Sequence, residues 1–421
     1  MIDYDPFDKA VKDDPHRWFD RLRAQCPVHH HRLEGVDLDR INANPLVARP
    51  TDEFWSVFGY DDCAAILQDP GRFSSKEGPG PERLMAMNDK GMLIYADDPA
   101  HMLQRRIANK AFTPRMVEAL KAQIQAIADD LVDSIADAGE ADVMADFSVP
   151  LTIRVITRIL GEGEDRVADF WRWGNATIAG FGGDQAALEA SFVAMMELFE
   201  FLMGIIGRRR QMLADGLEPP DDVLTALIRA DFEGATFTDD EILMACHQLL
   251  TAGFETTSTA TGNAVYRLCT NPEQRAKLEG DWSLLDTAVE EILRYDAPIE
   301  GLFRTTTEPV EIGGCPIPAG AKVRVMYASA NHDEAHFTDA SEFRIDRDPQ
   351  EVRKHLAFGH GPHACIGASL ARSEIRIGLR TLLGRLPGLR LDPTSPPVRN
   401  TSLFITGFSS VPVVWDQIRT A

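Results

Sequence analysis

Among the 421 residues there is no C-x-x-C pair, no long apolar run free of charge, and no G-x-G-x-x-G behind a strand-like segment. The six cysteines (Cys26, Cys63, Cys246, Cys269, Cys315 and Cys365) are scattered, which argues against a disulfide framework and for reduced thiols in the cytoplasm. The apolar stretches at Phe192–Ile206 and Ile242–Leu268 are interrupted or flanked by Glu197, Glu200, Glu241, His247, Glu255 and Arg267, so neither reads as a membrane span. The first residues carry Asp3, Asp5, Asp8, Asp13 and Asp14, unlike a signal or transit peptide. Basic residues are also scarce: 43 Lys and Arg face 65 Asp and Glu, a net charge of −22. That balance excludes nucleic acid or an anionic membrane as the main partner. With 44% apolar and 26% charged residues, the bulk of the chain is expected to fold.

Repeats, low-complexity tracts and Pro/Gly/Ser linkers are absent, so residues 1–421 are taken as one domain and as a monomer. The pattern is mainly α with a smaller β portion near the N-terminus and in the last third. Phe54–Phe58 reads as a strand, and Asp61–Asp62 would cap a short helix through Gln68. Helical patterns dominate from about Ala100 to Tyr295, including a long run from Asp239 to Leu268. Val310–Tyr327 reads as two strands around Gly313–Gly314. The triplet His29-His30-His31 invites a metal reading, but adjacent strand residues point to alternate faces, so a polar strand is expected.

The segment 358–372, F-G-H-G-P-H-A-C-I-G-A-S-L-A-R, places Cys365 among glycines just ahead of a helical run. A thiolate there would gain from the helix N-terminus and from nearby N–H donors. Gly359, Gly361 and Gly367 would let the backbone approach a flat, bulky cofactor. Read from the residues alone, two other roles stay open: an inert buried thiol, or a zinc ligand with His360 and His363.

This segment resembles the haem-binding loop of the cytochrome P450 family, F-x-x-G-x-x-x-C-x-G, with Phe358, Gly361, Cys365 and Gly367 at the fixed places of loop 358–367. The resemblance implies the family's triangular, mostly helical fold, haem b as cofactor, and Cys365 as its proximal iron ligand. A thiolate in that place favours O–O cleavage. Residues 252–257, A-G-F-E-T-T, resemble the family's oxygen-activating motif, with Ala252 and Gly253 against the haem and Glu255 and Thr256 as the acid and hydroxyl that deliver protons. Thr256 can also bond back to the carbonyl four residues earlier, which would loosen the helix. Glu291 and Arg294 resemble the family's E-x-x-R, with Arg347 as the third member of a structural cluster. His101, Arg105, Arg304 and His363 are implied as contacts to the haem propionates.

The matching positions imply an apolar substrate pocket from Met92, Ile94, Phe181 and Leu249 on one side. Ala252, Leu302, Phe404 and Ile405 supply the rest, with Glu300 nearby. A small lipophilic substrate would receive one atom of molecular oxygen, by hydroxylation or epoxidation. The electrons would come from NAD(P)H through a reductase and an iron–sulfur ferredoxin, since the chain has no dinucleotide fingerprint of its own. Two basic islands, at residues 101–115 and 371–390, would receive an acidic ferredoxin. The alternatives are a peroxygenase driven by hydrogen peroxide and a non-catalytic haem sensor.

Overall fold

The computed structural model describes residues 4, 8, 10–11, 14–32, 47–49, 52–81, 83–84, 91–179, 185–400, 402 and 404–416. A five-stranded sheet organises the smaller β portion. Its strands, in chain order, are β1 (Val28–Arg32), β2 (Glu53–Val57), β3 (Phe73–Ser74), β4 (Leu302–Thr306) and β5 (Lys322–Val325). They lie side by side as β1-β2-β5-β4-β3, with only β2 and β5 parallel. The register sets His30 opposite Trp55 and His31 opposite Phe54. His30 reaches Glu53 and stacks on Trp55, while His31 bonds Ser56 and stacks on Phe54. The triplet is therefore a strand with its own partners, as its alternation predicts, and no cluster of three metal-ligating side chains occurs among the described residues.

Two local expectations are corrected. The strand signal after Gly314 splits in two. Cys315–Ile317 closes a small hairpin with Val310–Ile312, whereas Lys322–Val325 leaves it and becomes β5 of the main sheet. Helix α1 (Tyr60–Gln68) is capped by Gly59, and Asp61 and Asp62 sit in its first turn rather than at the cap.

The larger portion is helical. Helices α2 (Ala100–Ala111), α3 (Pro114–Ile135), α4 (Val149–Ile159) and α5 (Val167–Ala179) lead to α6 (Gln185–Ala214), the long α7 (Asp239–Thr270), α8 (Leu285–Tyr295) and α9 (Ala368–Arg385). Helix α7 has 32 residues, so it spans roughly 48 Å. Its start is fixed by a capping box: Glu241 N donates to Thr238 Oγ1, and Thr238 N donates to the Glu241 carboxylate. From Thr257 to Val265 it is buried on every side, with α3, α4, α6 and α9 contributing to the same apolar core. By length and composition, α6 is the one described helix that could cross a membrane. Here it buries Leu198, Leu202, Ile205 and Ile206 in that core.

Behind α8 a buried ionic cluster ties three segments together. The Arg294 guanidinium donates from Nε and Nη2 to Glu291, at 2.7 and 2.8 Å. Its remaining donors go to the carbonyls of Asn331, Ala340 and Glu342, at 2.9, 2.9 and 3.0 Å. Arg347 completes the cluster from 2.9 Å on Glu291 and donates to the carbonyls of Thr338, Asp339 and Glu342.

Candidate functional site

Cys365 sits two residues beyond the short turn Gly361–His363 and three residues ahead of α9. The loop is closed by Cys365 N donating to Phe358 O at 2.8 Å. The sulfur accepts from the N–H groups of Gly367 and Ala368, which with Arg105 and Arg372 favour the thiolate against the upward push of burial. Protein surrounds the sulfur almost completely, yet it presents an accessible face. Ala252, midway along the core helix α7, is likewise accessible. An open face on both the loop and the central helix is what a flat group between them would require.

The glycines of the loop are not alike. Gly361 has φ +68°, and a Cβ there would stand 2.5 Å from Leu67 O. Its freedom serves a close contact with the backbone of α1. Gly367 has φ −83°, and a Cβ there would meet Cys365 Sγ at an ordinary 3.8 Å, so the chain itself places no demand for glycine at this position.

The four residues expected to face carboxylates come together. The His101 and His363 rings stack with centroids 3.8 Å apart. Burial lowers His363 to about 2, with Arg304, His101 and Arg105 adding to the effect. His101 is also lowered, mainly by burial, although Asp98 opposes this. Both rings are therefore neutral donors rather than cations, and the positive charge of the cluster rests on Arg105 and Arg304. Neither arginine has an ion-pair partner among the described residues. Arg304 is 5% exposed and donates only to the Phe303 carbonyl. Burial lowers Arg105. The buried Nε2 of His101 has no partner. Two unpaired guanidinium groups and an orphaned imidazole nitrogen, converging near a thiol, match the anionic edge and axial position of haem b.

On the other side, Thr256 Oγ1 donates to Ala252 O at 2.7 Å. This is the expected back-bond, but α7 runs unbroken from Asp239 to Thr270, so the helix absorbs the extra bond without opening. Burial alone raises Glu255 to about 7, which makes it both a donor and an acceptor of protons near neutrality.

The proposed pocket residues divide among several apolar clusters. Met92 and Ile94 pack with Tyr95, Met244 and Phe199. Phe404 joins Phe54 and Phe303, while Leu302 belongs to the cluster under the sheet and Leu249 to the main core. Ile405 is buried and bridges Ile299. Phe181 lies outside the described residues. Glu300 does not confront a substrate as a free carboxylate; it is buried and pairs with Arg324 at 3.5 Å.

The second basic island is largely cancelled. Arg372 chelates Glu290, Arg376 pairs with Asp286, Arg385 with Asp129 and Asp133, and Arg390 with Asp416. Arg380 lies 4.0 Å over Trp282. The exposed cations Arg106, Lys110 and Arg115 remain on the first island. Sequence reasoning also missed the buried group of Glu290, His355 and Arg372, in which Glu290 holds both partners at 2.6 to 3.0 Å. Arg372 in turn lies 4.4 Å over the Phe358 ring, so this group braces the Cys365 loop.

Comparison with known proteins agrees with this geometry. Residues 185–406 match the family model described as cytochrome P450. The chain is 39% identical over 432 residues to the cytochrome P450 monooxygenase PikC of Streptomyces venezuelae, covering 100% of this chain and 96% of that one. It is 35% identical over 418 residues to the 6-deoxyerythronolide B hydroxylase of Saccharopolyspora erythraea, covering 96% of each. The solved structure of cytochrome P450 CYP109Q5 from Chondromyces apiculatus superposes with a TM-score of 0.84 at 32% identity, over 99% of this chain and 98% of that one. With the thiol loop, the central helix and the Arg105–Arg304 cradle on this fold, the comparisons leave one reading: the chain belongs to the cytochrome P450 family and is a monooxygenase that binds haem b through a cysteine thiolate.

Proposed function

We propose that Cys365 is the iron ligand, that Arg105 and Arg304 with the neutral donors His101 and His363 hold the propionates, and that Glu255 and Thr256 manage protons on the opposite face. The observation that carries this reading is the convergence of unpaired Arg105, Arg304 and His101 beside a thiol that two backbone N–H groups stabilise. When bound, the haem supplies reductive activation of dioxygen and transfer of one oxygen atom to the substrate. The protein supplies the rest. Glu255 can release and regain a proton near neutral pH, and the Thr256 hydroxyl can pass it inward once it leaves the Ala252 carbonyl. The reaction is hydroxylation or epoxidation of a lipophilic molecule, consistent with the apolar cluster of Met92, Ile94, Met244 and Phe199. The relative named for hydroxylating 6-deoxyerythronolide B supports a largely apolar substrate.

Electrons reach the chain from NAD(P)H through a reductase and an acidic ferredoxin in the cytoplasm. Arg106, Lys110 and Arg115 form its landing surface. Arg376 has no part in it, because Asp286 neutralises it. Charge reversal at Arg106 or Lys110 should slow the first electron transfer, and added salt should weaken the wild-type rate.

The ligand assignment is tested by replacing Cys365 with His. The strongly red-shifted Soret band of the reduced carbon monoxide complex should vanish, whereas Ala at Cys26, Cys63, Cys246, Cys269 or Cys315 should leave it intact. A band that survives in the Cys365 variant removes this residue from the iron. Labelled dioxygen should place one labelled atom in the product.

A further inference from the structure

Helix α7 carries another polar group, one for which proton delivery has no use. His247 stands roughly two turns before Glu255 and is 7% exposed. Neither of its ring nitrogens has a hydrogen-bond partner among the described residues. The ring meets Phe199 edge-on, with centroids 5.5 Å apart and planes at 87°. Met244, one turn earlier on the same face, forms an apolar cluster with Met92 and Tyr95, to which Ile94 and Phe199 add. Burial alone lowers the imidazole to about 4, so at neutral pH it offers one N–H donor and one bare acceptor nitrogen.

For core packing this is a poor choice. A phenylalanine or leucine would complete the cluster without burying two polar atoms that bond to nothing. His355, by contrast, is equally buried and spends its Nε2 on Glu290 at 3.0 Å. The ring partner of His247, Phe199, packs on the cluster of Met92 and Ile94, which are pocket residues in the reading above. Phe199 additionally lines a hollow of about 430 Å³ with Phe192, Val193, Met196 and Met203, rimmed by Glu197 and Glu200. The accessible Ala252 lies five residues further along α7, about 7.5 Å along the axis.

We propose that His247 is a specificity-determining residue whose imidazole hydrogen-bonds a hydroxyl group carried by an otherwise apolar substrate, remote from the carbon that is oxidised. A hydroxyl can meet either nitrogen, accepting from the N–H or donating to the bare one, whereas a ketone can meet only the N–H. A carboxylate has no proton to give the bare nitrogen. The inference rests on the haem-monooxygenase reading and names the substrate class it takes.

The test uses ligands that anchor on the iron whatever the natural substrate is. Imidazoles N-alkylated with chains of graded length, each ending in either methyl or hydroxyl, are titrated into the haem-loaded protein and followed by the red shift of the Soret band. In wild type, one window of chain length should favour the hydroxyl end roughly tenfold over the trend set by the other lengths, about the value of one buried hydrogen bond. His247→Phe should erase that preference while leaving methyl-ended ligands as tight or tighter, with a melting temperature unchanged or raised. His247→Gln, which keeps a donor and an acceptor, should retain part of the preference and decides the matter should the Phe variant fail to fold. No favoured window in wild type, or one that persists unchanged in His247→Phe, overturns the proposal. Absence of any Soret shift with all the imidazoles instead overturns the haem reading itself.

Discussion

Two buried polar regions of the chain, one behind α8 and one around Cys365 and α7, are built on opposite principles. Around Glu291, Arg294 and Arg347 every demand is met: the five N–H groups of Arg294 make five hydrogen bonds, and both side chains of its ion pair are 0% exposed. Around Cys365 and α7, among the described residues, Arg304 makes one bond, Arg105 has no acid, and His101 Nε2 and both nitrogens of His247 have no partner. The same residue types are saturated in one place and left wanting in the other. Saturation marks scaffold, since a closed network holds loops from distant parts of the chain without offering anything to a ligand. Want marks recognition where several such groups converge on one place, as they do beside Cys365.

The contrast can be broken in four places. Arg294→Ala should have the largest effect, about 3–5 kcal/mol of lost stability, because buried Glu291 then keeps only Arg347 as a counter-charge among the described residues. Chemical denaturation of the haem-free chain reads this, and little folded protein should remain. Arg304→Leu should behave in the opposite way. The haem-free chain keeps or gains stability, while haem transfer to an apo-globin acceptor quickens by roughly ten- to a hundredfold, the worth of a charge-assisted bond. If the two variants lose stability alike, the distinction between scaffold and recognition site fails.

Glu255→Gln sharpens the comparison through pH. Burial raises Glu255 from 4.5 to about 7, so the folded chain holds this proton more tightly than the unfolded chain does. Stability then falls as pH rises through that window and is level outside it. The Gln variant should lack the fall and exceed wild type above pH 7 by about 1–3 kcal/mol, with the two equal below 4.5. Thermal unfolding of the haem-free protein across this range measures it. Thr256→Ala should move stability least, by under about 1 kcal/mol, since only the bond to Ala252 is lost. Its effect is on coupling: NAD(P)H consumption should continue while hydrogen peroxide replaces product. Equal product per NAD(P)H in both proteins would remove Thr256 from proton delivery.

Much of this site is readable before any coordinates, because its key groups come in short local patterns. Phe358 to Gly367, Ala252 to Thr257, and Glu291 with Arg294 one turn later each announce themselves within one loop or one helix. Arg347 follows from its place in the family's pattern, and the structure gives it the expected partner. What stays hidden is what depends on pairing across the chain. The second basic island looks positive in sequence, but the acids that cancel it come from α3, from the region of α8 and from the C-terminal residues. Arg324, which neutralises Glu300, lies on another strand. His247 reads in sequence as a polar break in an apolar helix. Only the fold shows that nothing among the described residues satisfies it. The demand for glycine at 361 is equally invisible, since its cause is a carbonyl in α1.

That last contact has a consequence for the order of assembly. The Gly361 backbone rests against Leu67 O, so the loop that presents the thiol is shaped by a helix roughly 300 residues earlier in the chain. Such a contact closes only after the loss of much chain freedom, and contacts of that separation form late. The helical core around α7 is built largely from nearer neighbours and can condense first. A nascent chain on the ribosome therefore cannot offer a finished thiol loop until its last third has emerged and docked on its first lobe. Under the proposed ligand assignment, cofactor capture is in this sense a proofreading step: the Cys365 loop takes its final shape only once the last third of the chain has met the first lobe.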